Sequence, residues 1–148
     1  MTAQNQVSES CKRSMFAFLA DCYSPFLIAL LGFSIWPLKR AEQTQSLIKL
    51  GCSLLIVYSL MLLDNTFSVW PYFQLDYSTH SAFAIVFSLQ TIHHKKHFRY
   101  LLITLLIGYL CLINHLNYHT FSDIISTTVI ILPLLFLSDW VCDKRNNP

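Results

Sequence analysis

Charged residues are scarce in this chain, and the shortage is uneven along the sequence. Asp, Glu, Lys and Arg make up 12% of the 148 residues, about half the share typical of globular domains, whereas 54% of the residues are hydrophobic. No charged side chain occurs in the 23 residues between Arg99 and Asp123 or in the 15 residues between Asp123 and Asp139. A soluble domain of this size cannot bury so much apolar surface. The composition therefore excludes a disordered chain, a nucleic-acid-binding domain and a disulfide-stabilised scaffold.

Glycine is also scarce, and the cysteines are not arranged in pairs. There are only three glycines, which favours continuous helices, and the alternating pattern of a transmembrane barrel is missing. The five cysteines are widely spaced and form no Cys-x-x-Cys motif, so no disulfide framework is predicted. Because backbone groups inside a bilayer must hydrogen-bond within the chain, the sequence predicts an all-α, polytopic transmembrane helical bundle in one domain over 1–148.

Five hydrophobic segments account for most of the chain, each close in length to the roughly 17–25 residues of a spanning helix. The segments cover 14–37, 46–63, 78–93, 99–116 and 119–138. Asp21 and Pro25 interrupt the first segment, which leaves open either one tilted span or an interfacial helix that leads into a shorter one. The third segment is short and polar at its start, so we expect it to begin at the membrane edge.

The basic residues indicate how the segments are oriented. Eight of the ten Lys and Arg residues fall on one side of the predicted bundle, which the positive-inside rule assigns to the cytoplasm. These eight are Lys39, Arg40, Lys49, Lys95, Lys96, Arg99, Lys144 and Arg145. The loops 64–77 and 114–119 contain no Lys or Arg and are predicted to face outward, together with Lys12 and Arg13 if all five segments cross. The short loops favour a bacterial inner membrane, with these two loops in the periplasm and the C-terminus in the cytoplasm.

Two polar stretches overlap the ends of these loops, which lack Lys and Arg, and each one opens a hydrophobic segment. The first stretch is 76–84 and the second is 114–124. The third and fourth segments form a hairpin, so both stretches return to the same membrane face, where His80 and His119 are expected to be neighbours. Ionisable residues at membrane spans are energetically costly, which makes both histidines candidates for function.

His119 and Asp123 stand four residues apart, which on a helix places both side chains on one face. A carboxylate in that position can accept the Nδ1 proton of the imidazole and leave Nε2 free as a nucleophile. His119 also lies near a helix N-terminus, which favours an anion such as phosphate, and Ser78 and Thr79 precede a second helix start. His80 can act as a general acid. These residues predict phosphoryl transfer through a phosphohistidine, for which no cofactor is expected.

The two motifs resemble those of the type 2 phosphatidic acid phosphatase superfamily, including its sphingomyelin-synthase-like lipid phosphotransferase branch. In that family a Ser-Gly-His element opens one span, and two spans later a His-x-x-x-Asp element opens the last one. Ser78-Thr79-His80 is similar to the first element, His119 and Asp123 frame the second, and the resemblance covers about 74–138. It implies that His119 is the nucleophile, Asp123 its orienting carboxylate and His80 the acid. The implied substrate is a phosphorylated lipid whose headgroup lies at the outer interface.

Three departures from the family pattern keep a second interpretation open. Thr79 stands where the family usually has glycine, Ile113 stands where the phosphatases have arginine, and the loop 64–77 lacks their Lys-x6-Arg-Pro element. Phosphoryl transfer normally draws on cations, which Lys12 and Arg13 could supply only if the N-terminus lies outside. The alternative is a non-catalytic membrane protein that binds lipid headgroups or a membrane partner.

Most of the remaining polar and aromatic residues are expected to be structural, whereas Asp76 is expected either to end a helix or to position Ser78 or an entering lipid headgroup. His93, His94 and His97 predict a solvated basic loop at anionic headgroups rather than a metal site, because the adjacent lysines would repel a cation. Asp139 and Asp143 are expected to be solvated at the end of the last helix. The residues predicted to form interfacial aromatic belts are Trp36, Trp70, Tyr72, Tyr118 and Trp140.

Overall fold

The computed structural model describes the backbone of residues 3–146 and the side chains of residues 14–144. Within these residues the regular structure is entirely helical. The α-helices are α1 (Ala3–Ile35), α2 (Arg40–Phe67), α3 (Val69–Tyr72), α4 (Thr79–His94), α5 (Arg99–His115) and α6 (Phe121–Asn146), and the 3₁₀ turn Lys96–Phe98 joins α4 to α5. The prediction of an all-α fold is confirmed.

Four of the described helices are long and apolar enough to cross a bilayer. Their spans are Ser14–Ile35, Arg40–Phe67, Lys96–His115 and Phe121–Lys144. The first helix continues without a break through Asp21 and Pro25, so the first segment is a single span-length helix. Proline removes one N–H donor from the helix, and the side chain of Asp21 is exposed rather than packed in the bundle. These four helices make the chain an integral membrane protein.

The outer faces of the spans are apolar. Large hydrophobic side chains such as Phe33, Leu55 and Phe136 are 62–76% exposed. In water this exposure would produce the extensive apolar patches that soluble monomers avoid, whereas lipid tails are as apolar as these side chains. Trp36 and Tyr72 are also largely exposed, as an interfacial belt requires.

Helix α4 occupies the centre of the bundle. It packs against α1, α2, α5 and α6, and its 16 residues extend about 24 Å, less than the roughly 30 Å of a hydrocarbon core. Ser81, Ser88 and Thr91 on this helix are fully or almost fully buried. Because protein surrounds α4, it does not need the continuous apolar surface of a lipid-facing span. The third predicted segment is therefore an enclosed helix that is shorter than the other four.

The short helix α3 buries Trp70 against the bundle. The backbone N–H of Trp70 donates to Oδ1 of Asp64 at 2.8 Å, and its indole N–H donates to Oγ of Ser126 at 3.2 Å. The indole ring also packs against the ring of Tyr77, with 4.9 Å between centroids. The placement of Trp70 in an interfacial belt is thus wrong, because this side chain anchors α3 and the following loop inside the protein.

Successive long helices run in opposite directions, which gives the bundle two distinct ends. The histidine end carries the connections 68–78 and 116–120, and the basic end carries the connections 36–39 and 95–98. No Lys or Arg occurs in the two connections at the histidine end. Among the described side chains, the Lys and Arg residues therefore lie toward the basic end.

Helix α1 begins at the histidine end. The ring of Phe16 lies 6.2 Å from that of His115 at the end of α5, and the opposite end of α1 leads to Leu38 beside Lys49. The side chains of Lys12 and Arg13, the predicted source of cations, lie outside the described residues.

Candidate functional site

His119 lies in the connection between α5 and α6, and the start of this connection is fixed by a helix cap. Asn117 adopts a left-handed backbone conformation with φ 59°. Its N–H donates to the carbonyl of Asn114 at 2.9 Å, and the N–H of Tyr118 donates to the carbonyl of Ile113 at 3.0 Å. These two bonds form a Schellman motif, in which asparagine is the usual substitute for glycine. The side chain of Asn114 then donates to the carbonyl of His119 itself at 3.1 Å.

The end of the connection is fixed by a capping box between Thr120 and Asp123. Oδ2 of Asp123 accepts hydrogen bonds from the N–H and the hydroxyl of Thr120 at 2.8 and 2.7 Å, and the N–H of Asp123 donates to Oγ1 of Thr120 at 3.3 Å. The second carboxylate oxygen, Oδ1, accepts from the N–H of Asp76 at 2.8 Å. The buried carboxylate of Asp123 thus joins the loop before α4 to the start of α6.

The predicted hydrogen bond between Asp123 and Nδ1 of His119 is not formed. Nδ1 of His119 has no hydrogen-bond partner among the described residues, and backbone and hydroxyl donors occupy the Asp123 carboxylate. The physical reason is that α6 begins at Phe121, so His119 stands before the helix and the i, i+4 relationship does not apply. The carboxylate within ion-pair distance is that of Asp76, whose Oδ2 lies 3.6 Å from Nδ1.

The surroundings of His119 favour a neutral imidazole. Its side chain is only 10% exposed, whereas that of Asp76 is 69% exposed. Burial lowers the pKa of His119 below its ordinary value of 6.5, and although the carboxylates of Asp76 and Asp123 oppose this shift, the neighbouring His80 reinforces it. At neutral pH the ring therefore carries one proton and one free lone pair.

His80, at the start of α4, is brought next to His119. The centroids of the two imidazole rings are 6.1 Å apart, with 54° between the ring planes. The phenol ring of Tyr118 lies over the other side of His80, at 6.1 Å and 22°. His80 is exposed, whereas the His119 side chain is largely buried. Because hydrogen bonds from ring nitrogens to oxygen are about 2.9 Å long, this spacing can accommodate one tetrahedral anion between the rings.

Ser78 and Thr79, the predicted phosphate-binding residues, occupy different environments. Ser78 is fully buried and caps α4: its Oγ accepts from the N–H of Ser81 at 3.3 Å and lies 2.7 Å from the Ser81 hydroxyl. Its own N–H donates to Oγ1 of Thr127 at 3.0 Å. The Ser78 hydroxyl is thus committed to the helix cap, whereas Thr79 lines a surface groove beside His80.

This groove, with a volume of about 460 Å³, extends from Thr79 and His80 along the side of the bundle. Most of its lining is apolar, and it is formed by α1, α2 and α4. The other lining residues are Ser24, Ile28, Leu54, Tyr58, Phe83 and Phe87. An elongated apolar chain can lie here with a polar end at His80.

The sequence pattern predicts Asp123, and not Asp76, as the carboxylate facing His119. The sequence contains a signal for the role of Asp76. This residue lies in a loop without Lys or Arg and is the last acidic residue before the helix that carries His80. Asn114 was likewise not predicted, although its side chain fixes the backbone of His119. No cluster of three or more His, Cys, Asp or Glu side chains that could hold a metal ion occurs in the described part of the chain.

No protein-family model, curated protein or solved structure matches the chain. Any proposal of function therefore rests on the geometry of His80, His119 and Asp76.

Proposed function

We propose that this protein is a membrane-embedded lipid phosphatase or phosphotransferase that acts through a phosphohistidine at His119. The observation that carries the proposal is the pairing of the His119 and His80 rings at 6.1 Å, with the Asp76 carboxylate behind His119. The motifs that resemble the type 2 phosphatidic acid phosphatase superfamily support the same chemistry.

His119 is the proposed nucleophile. With its proton on Nδ1, facing Asp76, the ring presents the lone pair of Nε2 to the substrate. Nε2 attacks phosphorus, so that an N–P bond forms while the P–O bond to the lipid alcohol breaks. Asp76 is a positioning residue in this scheme, because a carboxylate behind the imidazole favours the productive tautomer and stabilises the cation that develops.

His80 is the proposed proton donor and acceptor. In its protonated form it donates a proton to the oxygen of the departing lipid alcohol. Water or an acceptor alcohol then attacks the phosphohistidine, His80 removes its proton, and the N–P bond breaks. This second step regenerates neutral His119 and leaves His80 protonated for the next cycle.

A lipid substrate is favoured by the groove beside His80. An acyl chain along Ile28, Leu54 and Phe87 would bury apolar surface, which contributes on the order of 25 cal/mol per Å², while its phosphate would lie at the histidine end. From His80 to Phe87 the helix rises about 10 Å, so several methylene groups fit along this wall.

The charge pattern supports an orientation for this site. The basic end is proposed to be cytoplasmic by the positive-inside rule, which places the histidine end on the outer face. In a bacterial inner membrane this face is the periplasmic one, and the substrate phosphate would approach from the outer leaflet.

An assay with one active-site variant and one matched control tests the proposal. The full-length protein in detergent is given phosphatidic acid, phosphatidylglycerophosphate or undecaprenyl pyrophosphate, and phosphate release is measured beside His119→Ala and His115→Ala. His115 is a suitable control because it lies at the same end of the bundle but contacts Phe16. We expect release from the wild type and His115→Ala, loss in His119→Ala, and an acid-labile phosphoenzyme with labelled substrate.

A second candidate function is supported by the lack of Lys and Arg in the two connections that form the site. The connections 68–78 and 116–120 contain no Lys or Arg, and the Asp123 carboxylate offsets part of the positive dipole at the start of α6. A non-catalytic protein that binds a lipid headgroup would show equal background release in the wild type and in His119→Ala, while still retaining phosphorylated lipid in a binding assay.

A further inference from the structure

A second groove lies at the basic end, between α4 and α6, and has a volume of about 420 Å³. We call it the basic groove. Its polar side is formed by His93, Lys96 and Arg99, and its apolar side by residues that include Leu89, Leu135 and Phe136. His93, the first polar residue of the groove along α4, lies about 20 Å from His80 along the helix. Nothing in the proposed phosphoryl transfer uses this groove.

The two cations of the basic groove are available to a ligand. Neither Lys96 nor Arg99 forms a salt bridge with a described side chain, and both are exposed. The guanidinium of Arg99 donates to the hydroxyl of Tyr100 and lies 4.5 Å from the centroid of its ring. Because the Tyr100 side chain is neutral, this contact does not balance the charge of Arg99, which has no anionic partner among the described side chains.

The nearby carboxylates do not cancel this positive charge. Asp143 is paired with Nζ of Lys49 at 2.6 Å, and the Lys49 side chain is only 6% exposed. Asp139 borders the basic groove, and its Oδ1 is buried without a hydrogen-bond partner among the described residues, so it sets one carboxylate against the two cations Lys96 and Arg99. Asp143 is exposed as expected, with 52% of its side chain accessible, although it also pairs with Lys49. Asp139 is less solvated than expected, because it is only partly exposed. The groove keeps a net positive rim.

The apolar side of the basic groove distinguishes a lipid from a free anion. Leu135 on α6 is almost fully buried. The apolar side chains open to a ligand are those of Leu89 on α4, which is partly exposed, and Phe136 on α6, which is largely exposed. Inorganic phosphate would use only the cations, whereas a phospholipid would also cover these side chains. Basic pockets between transmembrane helices commonly bind anionic headgroups in this way.

We propose that an anionic phospholipid binds in the basic groove, with its phosphate beside Lys96 and Arg99 and one acyl chain along Leu89 and Phe136. The negative charge of the phosphate and the headgroup balances the positive charge of Lys96 and Arg99. The chain covers apolar surface between α4 and α6, so the bound lipid acts as a bridge between these two helices.

Native mass spectrometry of the full-length protein tests this site. The protein in detergent is titrated with phosphatidylglycerol or with phosphatidylcholine of the same chains, and the bound fraction is compared. We expect the wild type to bind phosphatidylglycerol more tightly than phosphatidylcholine. The double variant Lys96→Gln with Arg99→Gln should lose about five-fold in affinity for phosphatidylglycerol for each cation removed. The charge-conserving double variant Lys96→Arg with Arg99→Lys should retain most of the binding. This result would attribute the loss in the glutamine variant to the missing charge rather than to substitution at these two positions.

A matched control removes the same charge elsewhere at the basic end. Lys39→Gln with Arg40→Gln changes two exposed cations that do not line the basic groove, and we expect it to leave phosphatidylglycerol binding within about two-fold of the wild type. Equal losses in the two charge-removing pairs, or equal binding of the two lipids by the wild type, would overturn the proposal. So would full displacement of phosphatidylglycerol by glycerol 3-phosphate, because a headgroup alone lacks the chain.

Discussion

Oδ2 of Asp76 lies 3.6 Å from Nδ1 of His119, and the backbone N–H of the same aspartate is held by Asp123 at 2.8 Å. Asp123 and Asp76 therefore have separate roles, whereas the sequence pattern assigns the orienting role to Asp123 alone. Asp123 fixes the position of the loop, and Asp76, carried by that loop, faces the imidazole. Each role predicts a different result on substitution.

Asp76→Asn should lower the turnover of the proposed enzyme by about ten-fold, less than in a buried triad, because water screens a carboxylate that is 69% exposed. The Asp76 carboxylate raises the pKa of His119, so its removal should also move the acidic limb of the pH–rate profile to lower pH. Asp21→Asn, which changes an exposed carboxylate on α1, is the control. An unchanged profile in Asp76→Asn would contradict the positioning role.

Asp123→Ala should act first on stability. It leaves the N–H groups of Asp76 and Thr120 without their acceptor, and losing such caps costs about 1–2 kcal/mol. We expect a lower apparent melting temperature in detergent, with a smaller decrease in Asp123→Asn, which keeps one acceptor oxygen. A fully stable Asp123→Ala protein without activity would instead indicate that Asp123 acts directly on His119.

Protonation of His119 should weaken the fold as the pH falls. The unfolded chain, in which this histidine titrates near 6.5, takes up the proton before the folded protein does, because burial lowers the pKa of His119 in the folded state. Stability therefore increases with pH up to about 6.5 and then no longer depends on this group. Melting temperatures measured between about pH 5 and pH 8 should show a smaller slope in His119→Gln than in the wild type. Equal slopes would show that the folded and unfolded pKa values coincide.

Ile28→Trp should obstruct the groove beside His80. Ile28 lines this groove, so the larger side chain is expected to raise KM for long-chain phosphatidic acid by about ten-fold, roughly the effect of losing two buried methylene groups. Hydrolysis of a short soluble phosphomonoester should change little. Leu55→Trp, on the exposed face of α2, is the matched control. The same KM increase for both substrates would mean that the groove does not hold the chain.

The membrane bundle and the meeting of two histidines could be predicted because they depend on long-range patterns. Long uncharged stretches identify helices in lipid, and hairpin connectivity decides which loops share a face. His80 and His119 are indeed 6.1 Å apart. Neither inference requires knowing where a helix starts to within one residue.

The details of the site depend on such boundaries and could not be predicted. If α6 began before His119, Asp123 would share a helix face with that histidine, but Thr120 caps the helix and moves His119 into the connection. Lys49 illustrates the same difficulty, because a lysine near a predicted helix start is expected in solvent. Only the packing of α2 against α6 shows that it is buried and paired with Asp143.

The enclosure of α4 by four other helices has a consequence for biogenesis. A segment of 16 residues with histidines at both ends partitions poorly into lipid by itself. Its integration must therefore be cooperative with that of its neighbours, and truncated nascent chains that lack α5 and α6 should leave it outside the bilayer. The imidazole pair would then come into existence only in the last stage of assembly, when α6 docks and brings His119 beside His80.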